Sequence, residues 1–261
     1  MKILSKFIES LWVEAMDRNV SNIISLLDKN SHAVVLDVGC GDGRFTVQFK
    51  NKIQCKKIIG TEGNPARIKM AEDNGVDKVV SVELEKKWPF PNNSFDVIIS
   101  NQVIEHILNI DHFIEEIYRL LRPGGYCVIS TENLSAWHNI GALVLGYQDF
   151  SHNLITKKHV GNPFSIHYGE KTSSWEKKGM GDSGDSMYPH IKIATYKSLI
   201  NIFKAFDFTF VKGNGSGYYP LFGFSGSLAV SIDPYHTHFI TVKMQKPKKV
   251  KKRDERRTNN N

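Results

Sequence analysis

Apolar residues recur at spacings of three and four along the first part of the chain: Leu4, Phe7, Ile8, Leu11, Trp12 and Ala15, then Val20, Ile23, Ile24 and Leu27. That period predicts one amphipathic helix, or two in succession, with an apolar stripe wide enough to pack on a sheet. From Ala33 the pattern changes to short, continuous apolar runs. Ala33–Val38, Lys57–Thr61, Lys78–Val82, Phe95–Ser100 and Tyr126–Thr131 read as strands, and their unbroken apolarity requires cover on both faces. Helical spacing lies between several of them. The clearest case is Phe113, Ile114, Ile117, Leu120 and Leu121, stopped by Arg122-Pro123-Gly124-Gly125 because proline breaks the hydrogen-bond ladder. Strands alternating with helices predict a parallel sheet sandwiched between helical layers.

After Thr131 the regularity lapses until about Thr195. Such a length exceeds a plain connection, so residues 132–193 are expected to form an inserted lobe or lid. Helical spacing returns over Thr195–Phe206, followed by a strand at Phe208–Val211, a Gly-rich turn at Gly213–Gly217 and a last strand at His238–Val242. Residues 1–245 thus read as one domain and 246–261 as a polar, disordered tail.

Charge alters the picture mainly at that tail. The chain carries a net +7, yet residues 243–261 hold nine Lys or Arg against Asp254 and Glu255, leaving the body neutral. A fold that grips a polyanion carries its basic residues on the folded surface, so nucleic acid is not the expected partner. The basic run reads as a solvated terminus, the other readings being a nuclear-import signal or a peripheral anchor to anionic lipid or RNA. Cys40, Cys55 and Cys127 fit neither a disulfide framework nor a cysteine metal site. Charges interrupt the amino-terminal apolar residues and no apolar run is long enough to span a bilayer, so a cytoplasmic protein is expected. His236 and His238 would share one face of a strand, but no third ligand is evident and no metal is expected.

The strongest chemical signal is a buried strand, Val34-Val35-Leu36-Asp37-Val38, running into Gly39-Cys40-Gly41-Asp42-Gly43 and then a helix. Glycines there let a ligand lie against the main chain at a helix amino terminus. Glu62 ends the second strand, where a carboxylate can accept from both hydroxyls of a ribose, and Glu83 follows the third. The segment Trp88 to Asp96 leads into the fourth. Polar groups at three successive strand ends mark the edge where open parallel sheets bind ligands.

In combination, VLDVGCGDG, the acidic strand end at Glu62, WPFPNNSFDVIISNQVIEHI and LLRPGGYCVIST resemble the successive motifs of class I S-adenosylmethionine-dependent methyltransferases, most of all the small-molecule branch typified by quinone-biosynthesis enzymes. The resemblance covers residues 33–131 and implies a Rossmann-like, doubly wound, mostly parallel seven-stranded sheet with the inserted lid after the fifth strand. It implies that Asp37, Gly39, Cys40 and Gly41 line the methionine end of the cofactor, that Glu62 binds the ribose, that Glu83 and Leu84 sit beside the adenine, and that Asn101 to Val103 edge the sulfonium. Glu stands at 62 and 83 where the family more often has Asp. His106, just past the fourth strand, becomes the candidate base, with His138 second. The acceptor is expected to be a small or medium-sized, partly apolar or sugar-linked molecule, methylated on oxygen or nitrogen. Three other readings compete: a nicotinamide-dependent oxidoreductase, disfavoured by the GCGDG spacing; methylation of a protein or nucleic acid; and a non-catalytic cofactor-binding module.

Overall fold

In the computed structural model, which describes residues 2–152, 162 and 190–248, the chain opens on one long helix, α1 (Lys2–Leu26). Then follow β1 (Val34–Val38), α2 (Arg44–Ile53), β2 (Lys57–Thr61), α3 (Pro65–Asp73), β3 (Lys78–Val80), β4 (Phe95–Asn101), α4 (Ile110–Leu120), β5 (Leu121–Glu132), α5 (Trp137–Val144), α6 (Tyr196–Ala205), β6 (Thr209–Ser216), α7 (Gly223–Ile232) and β7 (Phe239–Gln245). The seven strands form one sheet in the order β3-β2-β1-β4-β5-β7-β6. Strands β1 to β5 pair in parallel, and β7 lies antiparallel between β5 and β6. The chain reverses its direction of winding between β1 and β4, so the carboxyl ends of those strands open a crevice.

Two apolar layers flank the sheet. On one side α4 and α6 place Phe113, Ile117, Leu120, Leu199 and Phe203 on Leu36, Ile98 and Ile129. On the other, Ile23 of α1 and Phe49 and Ile53 of α2 cover Val35, Val97, Ile99 and Val128. Each such side chain, fully buried, contributes about 1.5 to 3 kcal/mol of transfer free energy. Alternate residues of β1 and β4 serve opposite layers, which is why those strands read as unbroken apolar runs.

The segment before β4 is structural. Trp88 is buried edge-on to Phe113, its backbone N–H donates to Glu116 Oε2 at 2.7 Å, and Arg119 donates to the carbonyls of Trp88 and Phe90 while pairing with Glu116. The body also holds Lys246, which the sequence assigns to the tail. Its ammonium donates to the carbonyls of Tyr118 and Leu121 and to Asn93 Oδ1, and burial pushes its pKa down.

Several sequence expectations change. Gly213 to Ser216 do not form a turn; they pair with β7 as the second half of β6, where Gly213 and Gly215 admit Tyr196 and Thr237. Strand β3 stops at Val80, short of Val82. Two helices escaped the periodicity: α5 lies in the stretch read as irregular, and α7 is apolar on nearly every side, so neither shows a helical stripe. His236 and His238 do not share a strand face, because His236 ends a short 3₁₀ turn and β7 begins only at Phe239. Residues 153–161 and 163–189 of the expected lid, and 249–261 of the tail, lie outside the described residues. No described helix is long and apolar enough to cross a membrane.

Candidate active site

The turn after β1 is set by close approaches. Gly39 has φ +72°, and a Cβ there would lie 2.5 Å from Val103 Cγ2, so this position both needs a left-handed backbone and has no room for a side chain. Gly41 also has positive φ, but its Cβ direction is open, leaving bare main chain beside the crevice. The Glu62 carboxylate ties this turn to β2: Oε2 accepts from Gly41 N–H at 3.1 Å, and Oε1 from Gly63 and Asn64 N–H at 2.8 and 3.0 Å. Its extra methylene relative to Asp supplies the reach back to Gly41.

A cleft of about 490 Å³ opens beside the turn, of the size that small-molecule sites occupy. Of the sequence-derived site residues, Gly39, Glu62, Glu83, Leu84, Val103 and His106 line it, joined by Gln102 and Arg67. Glu83 stands exposed and pairs with Lys86 at 2.7 Å. Asp37, Cys40 and Asn101 sit behind this lining. Asp37 is buried and accepts from Thr46 Oγ1 at 2.5 Å; burial raises its pKa to about 7, partly opposed by that hydrogen bond. Burial likewise pushes the Cys40 thiol up, which makes it an apolar spacer against Gly60 and not a nucleophile. The Asn101 side chain turns to α1, where Asn19 Nδ2 donates to it at 2.9 Å; Ser130 and Thr241 donate to Asn19 Oδ1 in the same buried network. In its place Gln102, at φ +57°, reaches the cleft and is held by Ser130.

Beyond His106 the carboxyl ends of β4 and β5 and the amino end of the antiparallel β7 meet a polar cluster. Glu105 is fully buried; Thr131 Oγ1 donates to its Oε2 at 2.8 Å, and Oε1 has no hydrogen-bond partner among the described residues. Burial raises the Glu105 carboxyl to about 7, against the opposing pull of His190. For His190 burial works downward, but the Glu132 and Glu105 carboxylates outweigh it and lift the ring to about 9; its ring centre is 4.9 Å from that of His106. Burial would raise Glu132 too, but His190 and His238 hold it well below the usual carboxylate range. His138, the second candidate base, does not reach the cleft lining. It sits between Phe150 and Tyr219 with Nε2 at 3.2 Å from His238 Nδ1, and burial, with His238, lowers its pKa to about 3.

Sequence reasoning placed Gln102 only within the stretch Asn101 to Val103, and it missed Arg67, Glu132 and His190. His190 had no signal to find: it stands in an aperiodic stretch and gains meaning only when Ile191 and Lys192 N–H bond the Glu105 carbonyl at 2.7 and 3.2 Å.

A family model described as a methyltransferase domain matches residues 12–212. An uncharacterized methyltransferase of Schizosaccharomyces pombe is 33% identical over 115 residues, 39% of this chain and 41% of that protein. A ubiquinone biosynthesis O-methyltransferase of Chelativorans sp. is 28% identical over 103 residues, 38% of this chain and 40% of that protein. These matches span about two fifths of the relatives' length. Among solved structures, an S-adenosylmethionine-dependent methyltransferase from Mesorhizobium loti shares the fold with a TM-score of 0.56 at 15% identity, covering 85% of this chain and 95% of that one. The ordered motifs, the sheet order and a family match over most of the length agree, and the chain belongs to the methyltransferase-domain family, the class I proteins whose cofactor is S-adenosylmethionine.

Proposed function

We propose that the chain transfers the methyl group of S-adenosylmethionine to an oxygen of a small or medium-sized, partly apolar acceptor. The observation that carries this reading is one cleft lined both by Gly39 of the turn and Glu62 and by His106, which is backed by Glu105 and His190. When bound, S-adenosylmethionine supplies a sulfonium methyl that needs an acceptor held in line and an outlet for one proton. Glu62 has the capacity to accept from ribose hydroxyls while keeping its loop contacts, because a carboxylate has about four acceptor positions and three amides occupy part of them. Glu83 and Leu84 flank the adenine end. Gly39, Cys40 and Gly41 shape the methionine end, with Asp37 and Asn101 fixing the turn and the end of β4 from behind. His106 receives the acceptor's proton.

Oxygen is favoured over nitrogen by the relative from ubiquinone biosynthesis, whose name makes it an O-methyltransferase. A free small molecule is favoured over a polymer by the neutral body of the chain. Calorimetric titration of the full chain tests the cofactor assignment: S-adenosylmethionine and its demethylated product should both bind and NAD should not. Binding of NAD with no response to either sulfur compound would overturn the reading. Release of the demethylated product, followed across a panel of phenolic and aliphatic hydroxyl acceptors, then identifies the substrate class.

A further inference from the structure

Glu105, His106 and His190 converge where the ends of β4 and β5 face the segment leading into α6, and one ligand-type atom of each lies within 4.8 Å of those of the other two. What surrounds them commits their other atoms. Thr131 occupies Glu105 Oε2, which leaves the fully buried Oε1 without a donor among the described residues. A buried carboxylate oxygen in that state is costly unless a proton or a cation sits on it. His190 Nδ1 faces Ser151 O at 2.7 Å and Glu132 Oε2 at 3.5 Å, the carbonyl and carboxylate contacts that orient a ligating imidazole and leave Nε2 for a metal. The hydrogen bonds from Ile191 and Lys192 to the Glu105 carbonyl fix the spacing between the two chain segments.

Two imidazoles and one carboxylate are a donor set for first-row divalent ions, and three protein ligands leave positions open for an exogenous oxygen. Metal bonds of about 2.1 Å would draw the three ligand atoms to roughly 3 to 4 Å from one another, a modest tightening of the present arrangement. His106 also lines the cleft, so the open positions lie at its acceptor end. We infer that Glu105, His106 and His190 form a binding site for a divalent transition cation of the zinc or manganese kind, placed to hold the acceptor's oxygen. The inference rests on the methyltransferase reading for the meaning of that end of the cleft. It changes the part of His106 from base to ligand: the cation would lower the pKa of the bound hydroxyl, and the proton would leave to solvent through the cleft. His236, which pairs with Asp233 and stacks on Trp137, belongs to no such group among the described residues and serves as the internal control.

The test is calorimetric titration of Zn²⁺ into the metal-stripped full chain, with S-adenosylmethionine titrated separately. One Zn²⁺ per chain is expected. Glu105→Gln and His190→Gln should each weaken it by about 100-fold or more and Thr131→Val by about 10-fold, as for ligands and the groups that orient them. His236→Gln should leave it unchanged. Retained S-adenosylmethionine binding certifies folding of each variant, and His190→Gln, at a less buried position, decides the matter if Glu105→Gln does not fold. Absence of stoichiometric Zn²⁺ binding, equal binding in both ligand variants, or loss in His236→Gln instead would overturn the site. Failure of S-adenosylmethionine to bind the wild type would overturn the proposed function, and the Zn²⁺ titration would still be read independently.

Discussion

The two ends of the cleft are built on different principles. The part proposed to hold the cofactor is mostly main chain: the Gly39 turn, the Gly41, Gly63 and Asn64 amides, and one carboxylate that ties them together, all within a short stretch from β1 to the start of α3. In the part proposed to meet the acceptor, the polar groups are side chains from the turn after β4, from β5 and from the approach to α6, far apart in sequence and assembled by the sheet. The first is a local device that tolerates little variation. The second can be rebuilt residue by residue on the same sheet, as expected of the part of a superfold that decides the substrate.

This contrast can be broken by variants that separate binding from turnover. The largest effect is expected from Gly39→Val, which forces a β-branched residue into a left-handed backbone 2.5 Å from Val103; cofactor binding should disappear in calorimetry, and the melting temperature should fall. Next, His106→Gln should lower kcat by about 100-fold, the scale of a lost proton-handling group, while leaving S-adenosylmethionine affinity within about twofold. An equal loss of both would show that the two ends are not separable. Glu62→Ala should cost about 1.5 to 3 kcal/mol of cofactor affinity by removing charge-assisted hydrogen bonds, and unchanged affinity would remove Glu62 from the site.

Smaller effects sharpen the comparison. Asp37 binds its proton more tightly in the folded chain, at about 7 against 3.8 unfolded, so its contribution is fully present below about pH 4 and is lost as pH rises toward 7. Asp37→Asn should therefore flatten the decline of melting temperature across that window, and an unaltered pH profile would contradict its burial. Truncation after Lys246 should change neither cofactor binding nor thermal stability appreciably, since the removed residues are mostly charged and offer little apolar surface. A substantial drop in melting temperature would show that the tail packs on the body.

The hydrophobic pattern by itself determined the seven strands, the first helix and the cover of α4, because apolar runs and helical periods report burial directly. The Gly39 turn and the place of Glu62 at the end of β2 were equally readable as structure, since a left-handed turn needs glycine and a strand end is set at short range. The sequence could not determine α5 and α7, whose apolar residues form no stripe, or the pairing that makes Gly213 to Ser216 part of β6. Nor could it tell that Asn101 turns toward Asn19 while Gln102 takes its place at the cleft. Only the tertiary structure brought His190 and Glu132 to Glu105 and His106. Contacts between distant segments depend on strand order and on which face each side chain takes, and neither leaves a local trace in the spacing of residues.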